Sequence, residues 1–190
     1  ALITDGWRRL FTYAWPAGIL QRIRETGEDV NLYIFNSTGN WSRDAGYNRA
    51  EYNIYNLPEL SDFDGIILEL NNISSPAVLA DVISNAKRSG RPVVSIANEL
   101  GDFYYVGIDN YSAMKQVIAH LHEVHDCKKF WLLVGAQDNY ESSCRLQGML
   151  DYAKEHKIKI DKDDIWYGSF DYKSGLEGYK HLWDRHKELP

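Results

Sequence analysis

Histidines at 120, 122 and 125 and the cysteine at 127 are the residue types that bind transition metals. Two histidines on one helical face need four-residue spacing, and the stretch His122-Glu-Val-His125 misses that spacing by one residue. The simpler interpretation is the polar end of a helix near solvent, with a metal site as the alternative. Neither this group nor any other feature of the sequence calls for a cofactor.

The residues that could catalyse a reaction form no recognisable pattern. The phosphate-binding motifs GxGxxG and GxxxxGK[ST] and the hydrolase motif GxSxG do not occur. Nothing close to Cys144 in the sequence would activate its thiol as a nucleophile. Asp62, Asp64 and Glu69 are typical of turns and strand ends rather than of an acid–base pair. We therefore predict that this chain is not an enzyme, with an α/β enzyme as the weaker alternative.

Charge and hydropathy exclude further classes of function. The 190-residue chain has a net charge of −6 and no long Lys/Arg cluster, which argues against nucleic-acid contact by this chain. It contains no apolar run of the ~20 residues that span a membrane, and no signal peptide. Two cysteines without metal or disulfide spacing fit a reducing compartment, so we expect a cytoplasmic protein. Ala1 opens the chain without Met, as in a piece of a longer protein.

The first hundred residues alternate between strand and helix patterns. This alternation predicts an α/β fold, an open parallel sheet with helices on both faces and the strand order 2-1-3-4. Pro16 should kink the first helix or mark its first turn. Predicted strands cover residues 1–4, 30–35, 66–70 and 93–97, and predicted helices cover residues 7–26, 44–56 and 76–89.

Residues 106–135 have the pattern of a strand–helix–strand unit at mid-chain. Val106–Asp109 is the first strand, Asp109 or Asn110 caps a helix that ends near His125, and Phe130–Val134 is the second strand. A helix over 141–157, a strand over 165–169 and a helix over 172–187 follow. We predict an N-terminal lobe over 1–104 and a second lobe over 105–190. The segment Ala97–Tyr105, with Gly101, is the expected hinge.

Several short segments resemble one family in the right order. They are DGIIL at 64–68, PVVSI at 92–96, YVGIDN at 105–110, HLHEVHDCKKF at 120–130 and NYESSCRLQGMLDYAKEH at 139–156. They are similar to the sensor domains of the lactose/galactose-repressor type, and most of all to versions in bacterial proteins with a GGDEF diguanylate cyclase output. Ser143, Arg145 and Gly148 match that family's Ser…Arg…Gly pattern. Asp126 stands where the family has Gly, which is tolerable because Asp enters left-handed backbone more easily than most residues.

The resemblance implies a fold of the type I periplasmic-binding-protein class with an incomplete second lobe. It also implies a small-molecule ligand, such as a sugar-like molecule, held between two lobes whose closure controls an output domain absent from this chain. That output would be a diguanylate cyclase or a helix-turn-helix, in a bacterial homodimer that acts in signal transduction or transcription regulation. A dimerisation module that has lost its ligand is the alternative.

Ligand residues are expected where strands end, because parallel sheets bind ligands beyond their carboxyl ends. Those ends are rich in aromatic, amide and carboxylate side chains, which suit a small polar molecule. A single Arg at the start of a helix is usually solvated, but position and resemblance favour a ligand role for Arg145, expected in the first turn. The candidates are Asp5, Trp7, Trp41, Glu69, Asn98 and Phe103 in the first lobe, and Gln137, Arg145, Phe170 and Asp171 in the second.

Overall fold

A computed structural model gives the three-dimensional structure and describes residues 1–6, 10–38, 44–73, 75–188 and 190. The chain divides into two compact units, Ala1–Gly107 and Ile108–Pro190. The sequence analysis placed this boundary after residue 104. None of the helices in the described ranges is long and apolar enough to cross a membrane.

The first unit is built on a five-stranded parallel sheet. The strand order β2-β1-β3-β4-β5 confirms the predicted order 2-1-3-4 and adds one strand at the edge. Its strands are β1 (Leu2–Asp5), β2 (Ile34–Ser37), β3 (Ile66–Glu69), β4 (Val93–Ile96) and β5 (Tyr104–Val106).

Helices of the first unit follow each of the first three strands. Ser75 caps α3 by accepting from the Val78 amide. Pro16 lies inside α1, so it does not mark that helix's first turn. The elements are α1 (Leu10–Thr26), α2 (Ala45–Glu51), the 3₁₀ turns Tyr52–Asn56 and Leu60–Asp62, and α3 (Pro76–Arg88).

One apolar core stabilises this unit. It joins alternate residues of the central strands to α3 and to the first 3₁₀ turn, as expected for strands buried by helices. Its most buried members include Ile3, Ile66, Leu68, Val82 and Ala86.

The second unit has its own two-stranded parallel sheet and its own core. Ile118 of α4, Leu132 of β6, and Met149 and Tyr152 of α5 form that core. An added Cβ on Gly148 would overlap the carbonyl oxygen of Tyr111, so the backbones of α4 and α5 touch at this glycine. The elements are α4 (Asn110–Glu123), β6 (Leu132–Val134), α5 (Tyr140–Glu155), the 3₁₀ turn Lys162–Asp164, β7 (Ile165–Tyr167) and α6 (Tyr172–His186).

Two sequence predictions at mid-chain are wrong. The strand predicted at Val106–Asp109 lies at Tyr104–Val106 and pairs with β4, while β6 pairs with β7 in the other sheet. The expected hinge Ala97–Tyr105 connects β4 to β5 and so lies within the first unit. Its Gly101 and Ala97 do adopt positive φ, of 55° and 64°, but they reverse the chain between neighbouring strands. An apolar strand pattern is the same whichever sheet the strand joins.

Candidate functional site

Buried polar side chains meet at the carboxyl ends of β1, β2 and β3. Asp5, at the end of β1, is 1% exposed and accepts a hydrogen bond from the Ser37 hydroxyl at 3.1 Å. Glu69, at the end of β3, is 4% exposed and accepts one from the Thr4 hydroxyl at 2.8 Å. The register sets Asp5 beside Ser37 and Thr4 beside Glu69, so that the strand ends carry two hydrogen-bonded pairs. Two predicted site residues, Asp5 and Glu69, thus lie buried at the carboxyl ends of neighbouring strands.

Tyr55 and Asn72 fix this cluster to the surrounding backbone. The Tyr55 hydroxyl donates to the Thr4 carbonyl at 2.9 Å, and the Asn72 amide donates to the Asp5 carbonyl. Burial, and then the charge of Asp5, raise the pKa of the Tyr55 phenol, so it remains a protonated donor. Sequence reasoning missed Tyr55, because a tyrosine in a 3₁₀ turn carries no local signal of its distant partner.

Just beyond β2, Thr38 donates to Glu51 of α2 through both its hydroxyl and its backbone amide. The hydroxyl contact is the first cause that lowers the pKa of the Glu51 carboxyl, because it favours the charged form. This pair ties the loop after β2 to α2, beside the polar cluster.

The other first-unit candidates have different positions. Asn98 lies half-buried just after β4, and its carbonyl accepts from the Ser95 hydroxyl. Phe103 does not lie at a carboxyl strand end, which corrects the sequence prediction, because the chain has already returned to the amino end of β5. Its ring packs against the core with the Lys87 ammonium 5.8 Å from its centroid. Trp7 and Trp41 lie outside the described residues.

In the second unit, a cavity of about 460 Å³ opens at the carboxyl ends of β6 and β7. Its lining includes Gly135 and Gly168, which follow the two strands, and the first turn of α6. Two of the predicted second-lobe residues with large side chains, Arg145 and Phe170, share this lining with Trp166. The indole Nε1 of Trp166 is buried and has no hydrogen-bond partner among the described residues.

Arg145 is held in place beside this cavity. Since α5 begins at Tyr140, Arg145 lies in the second turn rather than the predicted first. Its Nε donates to Asn110 Oδ1 at 2.7 Å, and one terminal nitrogen lies 3.7 Å from Glu141 Oε2. Asn110, only 7% exposed, also donates to Glu141 at 3.1 Å. The guanidinium is thus positioned by a small network, and about a third of the side chain stays exposed.

The remaining second-unit candidates divide between the cavity and solvent. The Phe170 ring, half exposed, covers Gly135 so closely that an added Cβ there would overlap it, and its backbone has a positive φ of 59°. Asp171 lines the cavity and caps α6 by accepting from the Ser174 amide at 2.7 Å. The Ser169 hydroxyl, and then that amide, lower the pKa of Asp171. Gln137 lies exposed in the turn after β6.

Sequence reasoning missed several residues of this cavity. Met114, Met149, Ser142 and Trp166 line it but come from helix faces and a strand interior rather than from strand ends. A Met on a helical face is usually assigned to the core, so no local signal would have marked it.

Solved structures with a similar fold are regulators and a binding protein. The transcription regulator CcpA of Lactococcus lactis superposes with a TM-score of 0.70 and 19% identity, over 98% of this chain and 65% of that one. A putative transcriptional regulator LacI from Bacillus cereus subsp. cytotoxis gives a TM-score of 0.72 and 21% identity, over 100% and 65%. A solute-binding protein from Burkholderia multivorans, whose unknown ligand is represented by α-D-erythrofuranose, gives 0.71 and 18%, over 99% and 66%.

A fourth similar structure is the transcriptional regulator CelR in complex with cellobiose, with a TM-score of 0.70 and 22% identity, over 99% of this chain and 56% of that one. The chain therefore spans 56–66% of the length of these four proteins, and its second lobe is incomplete relative to theirs. The shared fold is the predicted one, of the LacI-type regulators and type I periplasmic binding proteins. No protein-family model matches the sequence, and a search of curated proteins finds no match.

Proposed function

We propose that this chain is the small-molecule-binding part of a bacterial regulatory protein and that its ligand is a sugar or a similar polyhydroxylated molecule. The observation that carries the proposal is the cavity of about 460 Å³ at the carboxyl ends of β6 and β7, lined by Arg145, Trp166 and Phe170. That volume lies within the roughly 300–1,000 Å³ range of small-molecule sites.

The chemistry of the lining favours a sugar-like ligand. A guanidinium offers several donors in a fixed plane, which suits neighbouring hydroxyls. Aromatic rings offer flat apolar faces for the carbon side of a sugar ring. The cellobiose held by CelR and the erythrofuranose in the solute-binding protein support the same ligand class.

Binding rather than catalysis fits the roles of the carboxylates near the strand ends. Asp5 and Glu69 accept hydrogen bonds inside the first unit, and Asp171 caps α6. These oxygens organise backbone and strand ends, which is what a binding scaffold needs.

The wider regulatory scheme rests on the sequence resemblance. That one ligand is held between the two units, that their closure signals onward, and that the protein is a cytoplasmic homodimer remain predictions. Of the two output domains that the resemblance implies, we favour a DNA-binding module over a diguanylate cyclase, because the similar structures are mostly transcription regulators. The sequence of the full-length gene distinguishes the two.

A ligand screen followed by one substitution tests the binding proposal. Mono- and disaccharides are compared with amino acids and nucleosides for their effect on the melting temperature, since a ligand that binds only the folded state raises it. Calorimetry on the best sugar should then show that Arg145→Ala weakens binding by about 1.5–3 kcal/mol, the range for hydrogen bonds to a charged group. Arg145→Lys should recover part of this loss, since it keeps the charge without the planar fork.

Controls separate binding from folding. Arg145→Ala also removes the hydrogen bond to Asn110, so we expect an apo-state stability loss of about 0.5–1.5 kcal/mol, measured in parallel by urea unfolding. Arg91→Ala is the matched control. Arg91 is exposed just before the amino end of β4, and its guanidinium donates to the Ser61 carbonyl. A screen in which no sugar raises the melting temperature, or wild-type affinity in Arg145→Ala, would contradict the proposal.

A further inference from the structure

The turn between α4 and β6 brings two imidazoles into contact. His120 lies in the last turn of α4, and His125 lies in the turn that follows. Their Nε2 atoms are 3.1 Å apart, and the rings meet edge to face at 75° with centroids 4.8 Å apart. Both side chains are exposed, so an ion from solvent can reach them.

The backbone of this turn fixes His125 above the helix end. The Cys127 amide donates to the Leu121 carbonyl at 3.1 Å, and Asp126 adopts a left-handed φ of 54°. The helix thus ends with a left-handed residue, and the next amide donates to one of the helix's last carbonyls. The four-residue spacing rule applies only within a continuous helix, which is why it gave no reason to pair these histidines.

The remaining four histidines are engaged elsewhere. His122 Nδ1 lies 3.1 Å from the Tyr152 hydroxyl, and His156 stacks on the Tyr152 ring at 4.1 Å. His186 lies 2.7 Å from an Asp164 oxygen, and His181 packs beside Trp166. The two imidazoles of His120 and His125 are therefore a separate pair.

We propose that His120 and His125 bind one divalent late transition-metal ion such as Zn²⁺, with water completing its coordination. At 3.1 Å one Nε2–H can donate to the other Nε2, and when neither Nε2 carries a proton the two lone pairs can bind one cation instead. At zinc–nitrogen distances of about 2.0–2.1 Å, nitrogens 3.1 Å apart subtend an angle of roughly 100° at the metal, close to tetrahedral. Imidazole is a preferred ligand of Zn²⁺, Cu²⁺ and Ni²⁺.

Water completes the coordination because, within the described residues, no group of three or more His, Cys, Asp or Glu side chains could hold a metal ion. A site with two protein ligands exchanges its ion readily, unlike a closed structural zinc site. It also lies before β6, at the amino end of the strand, whereas the cavity lies beyond the carboxyl end. The proposed ion is thus independent of the proposed sugar.

Calorimetric titration of the whole chain with zinc chloride tests the site. Wild type should bind one equivalent. His120→Gln and His125→Gln should each weaken zinc binding by about 10-fold or more. Losing a residue that only supports a metal ligand already weakens metal binding by about 10-fold, and these variants lose a ligand itself. His181→Gln, which changes an exposed histidine in α6, should bind as wild type does.

Cu²⁺ used as a spectroscopic probe gives a second measurement that does not depend on the variants folding. Its electron paramagnetic resonance spectrum should show coupling to two imidazole nitrogens in wild type and in His181→Gln. Absence of zinc uptake by wild type, equal zinc affinity in His120→Gln and His125→Gln to that of wild type, or coupling to a single nitrogen would each overturn the proposal.

Discussion

At the scale of single residues, the first unit concentrates its polar interactions where three strands end. Two carboxylates, Asp5 and Glu69, are almost fully buried there, and each accepts a hydrogen bond from a strand hydroxyl. A buried carboxylate is tolerated only when its oxygens are hydrogen-bonded. The hydroxyls of Thr4 and Ser37 therefore stabilise the fold and also keep the strand ends aligned.

Thr4→Val tests whether the Thr4 hydroxyl stabilises the fold, since it keeps the shape of the side chain and removes the donor to Glu69. We expect the free energy of unfolding to fall by about 1.5–3 kcal/mol, the range for a hydrogen bond to a charged group. Urea unfolding measures the change. Thr26→Val is the control, because the Thr26 hydroxyl donates to helix carbonyls at the exposed end of α1. Equal stability of Thr4→Val and wild type would show that Glu69 does not depend on this donor.

At the scale of secondary-structure elements, the close approach of α4 and α5 determines the second unit. Tyr111 and Gly148 meet backbone to backbone, so a side chain at Gly148 has no space. Both helices also contribute to the core through Ile118 and Met149. A glycine here serves packing, because its φ is not in the left-handed region.

In Gly148→Ala, the sign of the change in unfolding free energy shows whether close packing or helix propensity has the larger effect. Ala favours a helix over Gly by about 0.8–1 kcal/mol, but forcing the two helices apart costs about 1–3 kcal/mol. We therefore expect a net loss of unfolding free energy in urea denaturation. Gly18→Ala in α1 should instead gain about 0.5–1 kcal/mol, because nothing lies within 4 Å of the added Cβ. A stability gain in Gly148→Ala would contradict the close contact.

At the scale of the whole molecule, each unit has a core of its own. Leu68 belongs to the core of the first unit and Ile118 to that of the second. Separate cores allow separate local unfolding, since cooperative units follow contiguous packing.

Leu68→Ala should lower the stability of the first unit by about 2–5 kcal/mol, because it leaves a cavity around a fully buried side chain. Hydrogen exchange should then accelerate in β1, β3 and β4 and remain unchanged in α4 and α5. Ile118→Ala should produce the reverse pattern. A loss of protection that spreads equally over both units in either variant would show that they unfold as one.

The sequence alone determined the features that depend on neighbours along the chain. The alternation of strands and helices was predicted and is observed, as is a cap at Asp109, one of the two residues predicted there. Asp126, predicted to tolerate left-handed backbone, has a positive φ of 54°. These follow from side-chain spacing and from local hydrogen bonds, which act over a few residues. The order of the first four strands also followed, because short right-handed connections leave few alternatives.

Only the tertiary structure decided which distant residues meet. It paired β5 with β4 rather than with the strand after α4, placed Phe103 at the opposite end of the sheet from Asp5 and Glu69, and joined His120 to His125 across a helix end. It also paired Thr4 with Glu69 and Ser37 with Asp5, and it placed the Tyr55 hydroxyl on the Thr4 carbonyl. Such contacts depend on strand register and on where a turn redirects the chain. Residue type and spacing along the sequence contain neither of these.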